Sequence, residues 1–237
     1  MSTPASAEHH HDHRDVTGGW LRPAVFGAMD GLVSNFALIA GMAGGTASGS
    51  RVVVLAGLAG LAAGSFSMAA GEYTSVASQR ELALAEIELE RREIAEHTAA
   101  ETDELADAYR ARGIASDLAD EIASQVHNDP DKALEEHVRT ELGINLNDLP
   151  SPLLAAGSSF LSFAVGAMLP VLPYLLGAAN VVPALVVSLL ALFACGAVVS
   201  RVTARSWWYS GLRQLLLGAL AAAVTYAIGT AVGTTIT

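Results

Sequence analysis

The chain has 237 residues, 52% of them hydrophobic and 16% charged, with a formal net charge of −11 and a mean hydropathy of +0.42. A single cysteine, Cys195, excludes a disulfide framework and a CxxC metal site, and an acidic balance of this size leaves no nucleic-acid partner to expect. The charges are segregated: 19 of the 24 acids and 6 of the 13 bases fall between Glu81 and Asp148. An acidic region with the periodicity of soluble helices is therefore set inside a chain whose apolar runs approach or exceed the roughly 20 residues that cross a bilayer as a helix.

In chain order, residues 1–20 read as a polar tail with no apolar stretch of the kind a cleavable signal needs. Its HHHDH cluster, His9 to His13, is either a weak metal ligand set or plain solvated tail. Five apolar spans follow, at about 23–44, 52–76, 152–176, 181–200 and 211–236. The first holds Asp30 and the second holds Glu72 near its end. GGTASGS, Gly44 to Ser50, joins the first two spans as a short turn, which makes them an antiparallel pair. Small residues crowd the spans (GMAGG, AGLAGLAAGS, GALAAAVTYAIGTAVGT), and in lipid such surfaces let helix backbones approach closely. Pro170 and Pro173 are expected to kink or end the third span.

Between the second and third spans, residues 79–148 read as helices. The first continues out of span two, a second ends at Gly113, a third begins with Ser116 or Asp117 as N-cap, and a fourth runs from Pro130 to Gly143. The apolar residues here are few, so the core of this domain is thin. The organisation expected is all-α and polytopic. It comprises a tail at 1–20, two membrane helices at 21–78, an acidic helical domain at 79–148, and three membrane helices at 149–237.

Lys and Arg placement orients the whole. Arg14 and Arg22 precede span one, six bases lie in the insertion, and Arg201, Arg205 and Arg213 flank the last loop, while the opposite side offers only Arg51. The N-terminus and the acidic domain are thus expected in the cytoplasm, with Trp207, Trp208 and Tyr209 forming an interfacial belt.

Three groups of residues carry possible chemistry. Asp30 lies inside a span, where an ionised carboxylate costs about 2.5–3.5 kcal/mol, so it either serves a pathway or reaches the headgroups. Met68 and Glu72 are four apart and share a helix face. A thioether beside a carboxylate suits a first-row ion better than calcium, although a methionine alone is more often core. In the insertion, Glu86, Glu90, Glu93 and His97 stripe one helix face, Glu101 and Glu104 are three apart, and His137 and Glu141 are four apart. These are either ligands or a solvated, salt-bridged surface. No GxxxxGK[ST] loop and no nucleophile–base pair is present, so an enzyme is not expected.

FGAMDGLVSNFALIAGMAGG, then AAGSFSMAAGEYTSVASQRE, then an acidic helical insertion and three further spans, resemble the vacuolar iron transporter family, from about Leu21 to the C-terminus. The resemblance implies a homodimer of five-helix protomers whose cytoplasmic metal-binding domain grows out of the second membrane helix. It further implies export of ferrous iron from the cytosol in exchange for protons, with Fe2+ or Mn2+ as cargo and no resident cofactor. Asp30, Met68 and Glu72 then resemble pathway residues. Glu90, Glu93, Glu101, Glu104 and Glu141 fall where the family's carboxylate ligands fall, with His137 beside them and Glu86 and His97 as possible additions. One departure is EHVRTE, where His137 and Val138 replace a methionine pair that other members can carry; this bears on iron against manganese. A member without a ferritin-like domain before the first span is expected, with a bacterial cell membrane as its host. The rival readings are a manganese-selective exporter and a membrane-anchored metal sensor or scaffold.

Overall fold

The structure, a computed structural model of the chain, describes residues 19–45, 50–203 and 205–236. The HHHDH tail and most of the GGTASGS turn lie outside the described residues. Among those described, all regular structure is helical: α1 Leu21–Gly45, α2 Ser50–Glu96, α3 Thr98–Ala111, α4 Ser116–Val126, α5 Pro130–His137, α6 Pro152–Leu175, α7 Val182–Thr203 and α8 Trp207–Ile236. Five of these, α1, α2, α6, α7 and α8, are long and apolar enough to cross a membrane. The chain divides into two compact units, Met1–Ser65 with Ser158–Thr237, and Phe66–Gly157.

In the first unit α1 packs most extensively against α8, and α7 against α8. Leu32, Phe36 and Ala40 meet Leu192 and Ala222 in one cluster, and Ile39 and Val53 meet Val171, Tyr174 and Ala184 in another. Glycine makes the closest approaches possible: a Cβ on Gly229 would lie 2.0 Å from the Gly41 carbonyl oxygen, and one on Gly166 would lie 2.2 Å from that of Ala28. Without a hydrophobic driving force in lipid, such backbone proximity and a few hydrogen bonds hold helices together. Asn35, buried on α1, donates from Nδ2 to the carbonyls of Gly57 (3.1 Å) and Ala167 (2.6 Å), and the Thr225 hydroxyl donates to Ala37 O at 2.7 Å.

The expected kink or stop at the prolines is met in a specific way. α6 runs through Pro170, which is fully buried, and ends at Leu175. Gly177 then turns the chain at φ +97°, with its N–H bonded to Tyr174 O and that of Ala178 to Pro173 O.

α2 has 47 residues, more than twice what a bilayer crossing needs, and passes from the apolar span into the acidic region without interruption. In the second unit its C-terminal part packs with α5 around Ile87, Ile94, Ala133, Leu134 and Val138, while α3 packs with α4 around Leu105, Ala106, Tyr109, Ala119 and Ala123. Alanines make much of this core, which keeps the helices close and the buried area small. Helix ends follow local chemistry. Asp129 caps α5 by accepting from the N–H groups of Asp131 and Lys132, with Pro130 at the first helical position, and Gly113 and Gly143 adopt positive φ of 92° and 66° at the stops. α4 differs from expectation: Ala115 holds the cap position with no side-chain bond, and Asp117 in the first turn acts only through its charge.

Candidate metal centre

His137, the last residue of α5, is fully buried, and the chain leaves it in a single π-helical turn, Val138–Leu142, that ends on Gly143. Such turns are rare and recur at functional sites; this one carries Glu141 back onto His137. The ring Nδ1 lies 2.8 Å from Glu141 Oε1, 3.0 Å from Glu90 Oε1 and 3.7 Å from Glu101 Oε2. Glu90 on α2 is 7% exposed and Glu101 on α3 is 8% exposed. Ligand atoms of Glu90, Glu101 and His137 all lie within 4.8 Å of one another, the one such group among the described residues.

Three carboxylates converging on one ring nitrogen cannot all be satisfied by one proton. Glu90 Oε1 and His137 Nε2 are buried without a hydrogen-bond partner, and a buried unpaired polar group costs about 1–3 kcal/mol. The electrostatics register the same conflict. Burial, then the charge of Glu141, with Glu101 and Glu93 behind it, push Glu90 up to about 7 against the pull of His137. Burial also raises Glu101, with Glu104, Glu93 and Glu141 adding to it and His137 opposing. A divalent first-row cation would resolve the conflict, because carboxylate oxygens and an imidazole nitrogen are its ordinary ligands and its charge would offset theirs.

A neighbouring clamp fixes the helix that presents His137. The Tyr109 hydroxyl on α3 donates to Glu136 Oε1 at 2.9 Å, and Arg139 pairs with the same carboxylate. Burial and that hydrogen bond push Tyr109 up to about 12, so it remains a donor.

The structure thus brings together Glu90, Glu101, His137 and Glu141. Glu93 and Glu104 are exposed and act on the cluster through charge. Glu86 and His97 are exposed and stand outside it, His97 at the cap position of α3. Met68 and Glu72 are half-buried on α2 in the second unit, and Asp30 is exposed on α1 in the first. Sequence reasoning missed His127. It stands edge-on to His137 with ring centroids 5.1 Å apart; its Nδ1 donates to Ala123 O at 3.0 Å, and its Nε2 is buried without a hydrogen-bond partner. A lone histidine ending a short helix offers no spacing signal. Glu90 did offer one: it stands three residues after Ile87 and four before Ile94, both buried, so an acid occupies the apolar stripe of its helix.

Comparison with known proteins agrees with this arrangement of spans and acidic insertion. Residues 21–230 match the model of the VIT family. The chain belongs to the VIT family. Among its relatives, vacuolar iron transporter 1 of Oryza sativa subsp. japonica is 32% identical over 96% of this chain and 92% of its own length. The vacuolar iron transporter of Acanthamoeba castellanii is 36% identical over 90% of this chain and 78% of its own. Vacuolar iron transporter 1 of Arabidopsis thaliana is 30% identical over 93% and 89%. VIT family membership therefore spans both units, the five apolar helices and the acidic insertion alike.

Proposed function

We propose that the chain is a secondary transporter that moves a divalent first-row metal ion, ferrous iron foremost, out of the cytosol in exchange for protons. The observation that carries the reading is the buried cluster of Glu90, Glu101 and His137 with Glu141 against it, whose member Glu90 stands on a helix that also contains an apolar span. Relatives named vacuolar iron transporters support the cargo. The excess of bases at the N-terminus, in the acidic region and at the last loop supports its cytoplasmic placement.

In this mechanism the cluster loads cargo from the cytosol. Its carboxylates must be deprotonated to hold the ion, so loading strengthens as the cytosolic pH rises through about 7, the range to which Glu90 is pushed. Met68, Glu72 and Asp30 form the pathway, with Glu72 and Asp30 as the groups that trade a proton for the ion. Met68 does not titrate in this range, so Met68→Leu changes ion preference and leaves proton coupling intact, whereas Glu72→Gln damages coupling.

Manganese is the second reading of the cargo, favoured by His137 and Val138, which put an imidazole and no thioether in the buried cluster. A sensor or scaffold without transport leaves Asp30, an acid within a membrane-grade helix, without a use. The test is uptake of ferrous iron, manganese and cobalt into proteoliposomes with an acidic lumen, with and without an uncoupler. Uptake that collapses with the gradient supports exchange; uptake indifferent to it makes the protein a uniporter, and no uptake of any ion overturns transport.

A further inference from the structure

α7 ends at Thr203 and α8 begins at Trp207, and at their junction lies a cavity of about 530 Å3 whose lining includes Val198, Arg201, Arg205, Ser206 and Trp207. Both arginines are exposed, and neither has an ion-pair partner among the described residues. None is near in sequence either: after Asp148 the chain contains no Asp or Glu, in a protein whose net charge is −11. Arg201 sits in the last turn of α7, where helix carbonyls favour a cation, but Arg205 lies off the helix and has no such reason.

The start of α8 adds to the same field. Its first turn contains no acid, and the N–H groups of Trp207, Trp208 and Tyr209 precede the first intrahelical bond, from Ser210 N to Ser206 O at 3.1 Å. Helix N-termini of this kind favour an anion. An aromatic cluster extends from the cavity wall at Trp207: Trp207 and Trp208 lie 4.5 Å apart between centroids, and Phe193 packs edge-on to both at 6.0 and 5.5 Å. Trp207, Trp208 and Tyr209 are nevertheless half or more exposed, as side chains at a membrane–water interface are.

We propose that this junction is a binding site for an anionic phospholipid. Arg201 and Arg205 hold the phosphate, the N-terminus of α8 completes the anion site, and Val198 and Trp207 support the glycerol and upper acyl chain. The general excess of Lys and Arg on one side of a membrane protein accounts for the sign of this loop, but it requires no convergence of two unpaired guanidiniums on one cavity. A free phosphate shares the headgroup chemistry. The apolar wall and the interfacial aromatic cluster select the lipid.

The experiment is native mass spectrometry of the full-length protein in detergent micelles doped with phosphatidylglycerol or with phosphatidylcholine of the same acyl chains. Phosphatidylglycerol is expected to be retained about tenfold better, and Arg201→Gln with Arg205→Gln is expected to bring its retention to the phosphatidylcholine level. Thermal melting in phosphatidylcholine micelles should be unchanged in that variant. If the double variant fails to fold, Arg205→Gln alone, off the helix, makes the same comparison. Equal retention of the two lipids by the parent protein, or undiminished phosphatidylglycerol retention in the variant, overturns the site. Glycerol 3-phosphate added at millimolar concentration is expected to leave the lipid bound; displacement of the lipid would assign the cavity to a soluble phosphate and overturn the lipid proposal.

Discussion

The two units of the chain solve opposite problems with polar groups. In the first, α1, α6 and α8 close on one another through missing side chains, Asn35 spends both donors on the carbonyls of Gly57 and Ala167, and the buried polar atoms left without a partner among the described residues, Asn35 Oδ1 and the hydroxyls of Ser159 and Ser188, are all uncharged. In the second, Glu90, Glu101 and His137 are buried together with an orphaned oxygen and nitrogen among them. Packing without tolerance suits a scaffold, whereas a polar conflict left unresolved suits a site that a cargo ion resolves. The contrast teaches where each part should be fragile: the first to added volume, the second to lost ligands and to pH.

The largest effect is expected from volume added to the first unit. Gly229→Val puts a branched side chain where even a Cβ would lie 2.0 Å from Gly41 O, and the atoms it would meet are all Gly41 backbone, which cannot swing aside. Size-exclusion chromatography of the membrane extract should show no monodisperse protein. Gly71→Ala in the second unit meets nothing within 4 Å and should be neutral or stabilising by up to about 1 kcal/mol. Equal behaviour of the two variants would erase the contrast.

Ligand loss comes next. Glu90→Ala with Glu101→Ala should weaken manganese binding by the full-length protein on the order of 100-fold in calorimetry, while the variant still elutes as the parent does. An unchanged affinity would return these acids to structural surface.

The pH effect is of comparable size, and its sign distinguishes a conflict from an ordinary ion pair. Glu90 has its folded value raised from 4.5 to about 7, so its contribution favours the fold below about 4.5 and is lost as pH rises through 7. Without metal, thermal stability should fall by about 3 kcal/mol from this group between those limits, and Glu90→Gln should remove that slope and melt higher at pH 8. A metal-free parent protein that instead gains stability from Glu90 across this range would contradict the burial of an unrelieved carboxylate. The smallest effect belongs to the clamp: Tyr109→Phe deletes the bond to Glu136 and should cost about 1 kcal/mol, with metal affinity reduced only a few-fold. A loss as large as that of the ligand variants would make Tyr109 part of the site itself.

Much of the fold was legible because its signals are one-dimensional. Apolar runs gave five spans, four of them within a few residues of the helices observed and the second covering only the first part of α2, whose continuation the uninterrupted passage through Glu72 into the acids announced. Gly113 and Gly143 marked helix ends because positive φ is a local demand. The site was legible as a stripe and not as a cluster. Spacing alone puts Glu86, Glu90, Glu93 and His97 on one face, but burial by α3 and α5 selects Glu90, whereas the pair His137 and Glu141, four apart in sequence, does meet across the π-helical turn. His127 was invisible because its role depends on an edge-on contact with a residue ten positions away and on no periodicity. Ala115 at a cap position shows the limit of the local rule: tertiary packing holds the start of α4 without the expected side-chain bond.

The most direct test of the buried cluster as the cargo site is X-ray absorption at the manganese edge on full-length protein carrying one equivalent of the ion. The parent protein should show an oxygen-rich first shell with the outer-shell scattering of one imidazole, and His137→Ala, loaded at concentrations that compensate its weaker affinity, should lose the imidazole signal and keep the oxygens. An oxygen-only shell in the parent protein, unaltered in His137→Ala and in the Glu90→Ala, Glu101→Ala variant, would place the bound ion elsewhere and contradict the assignment.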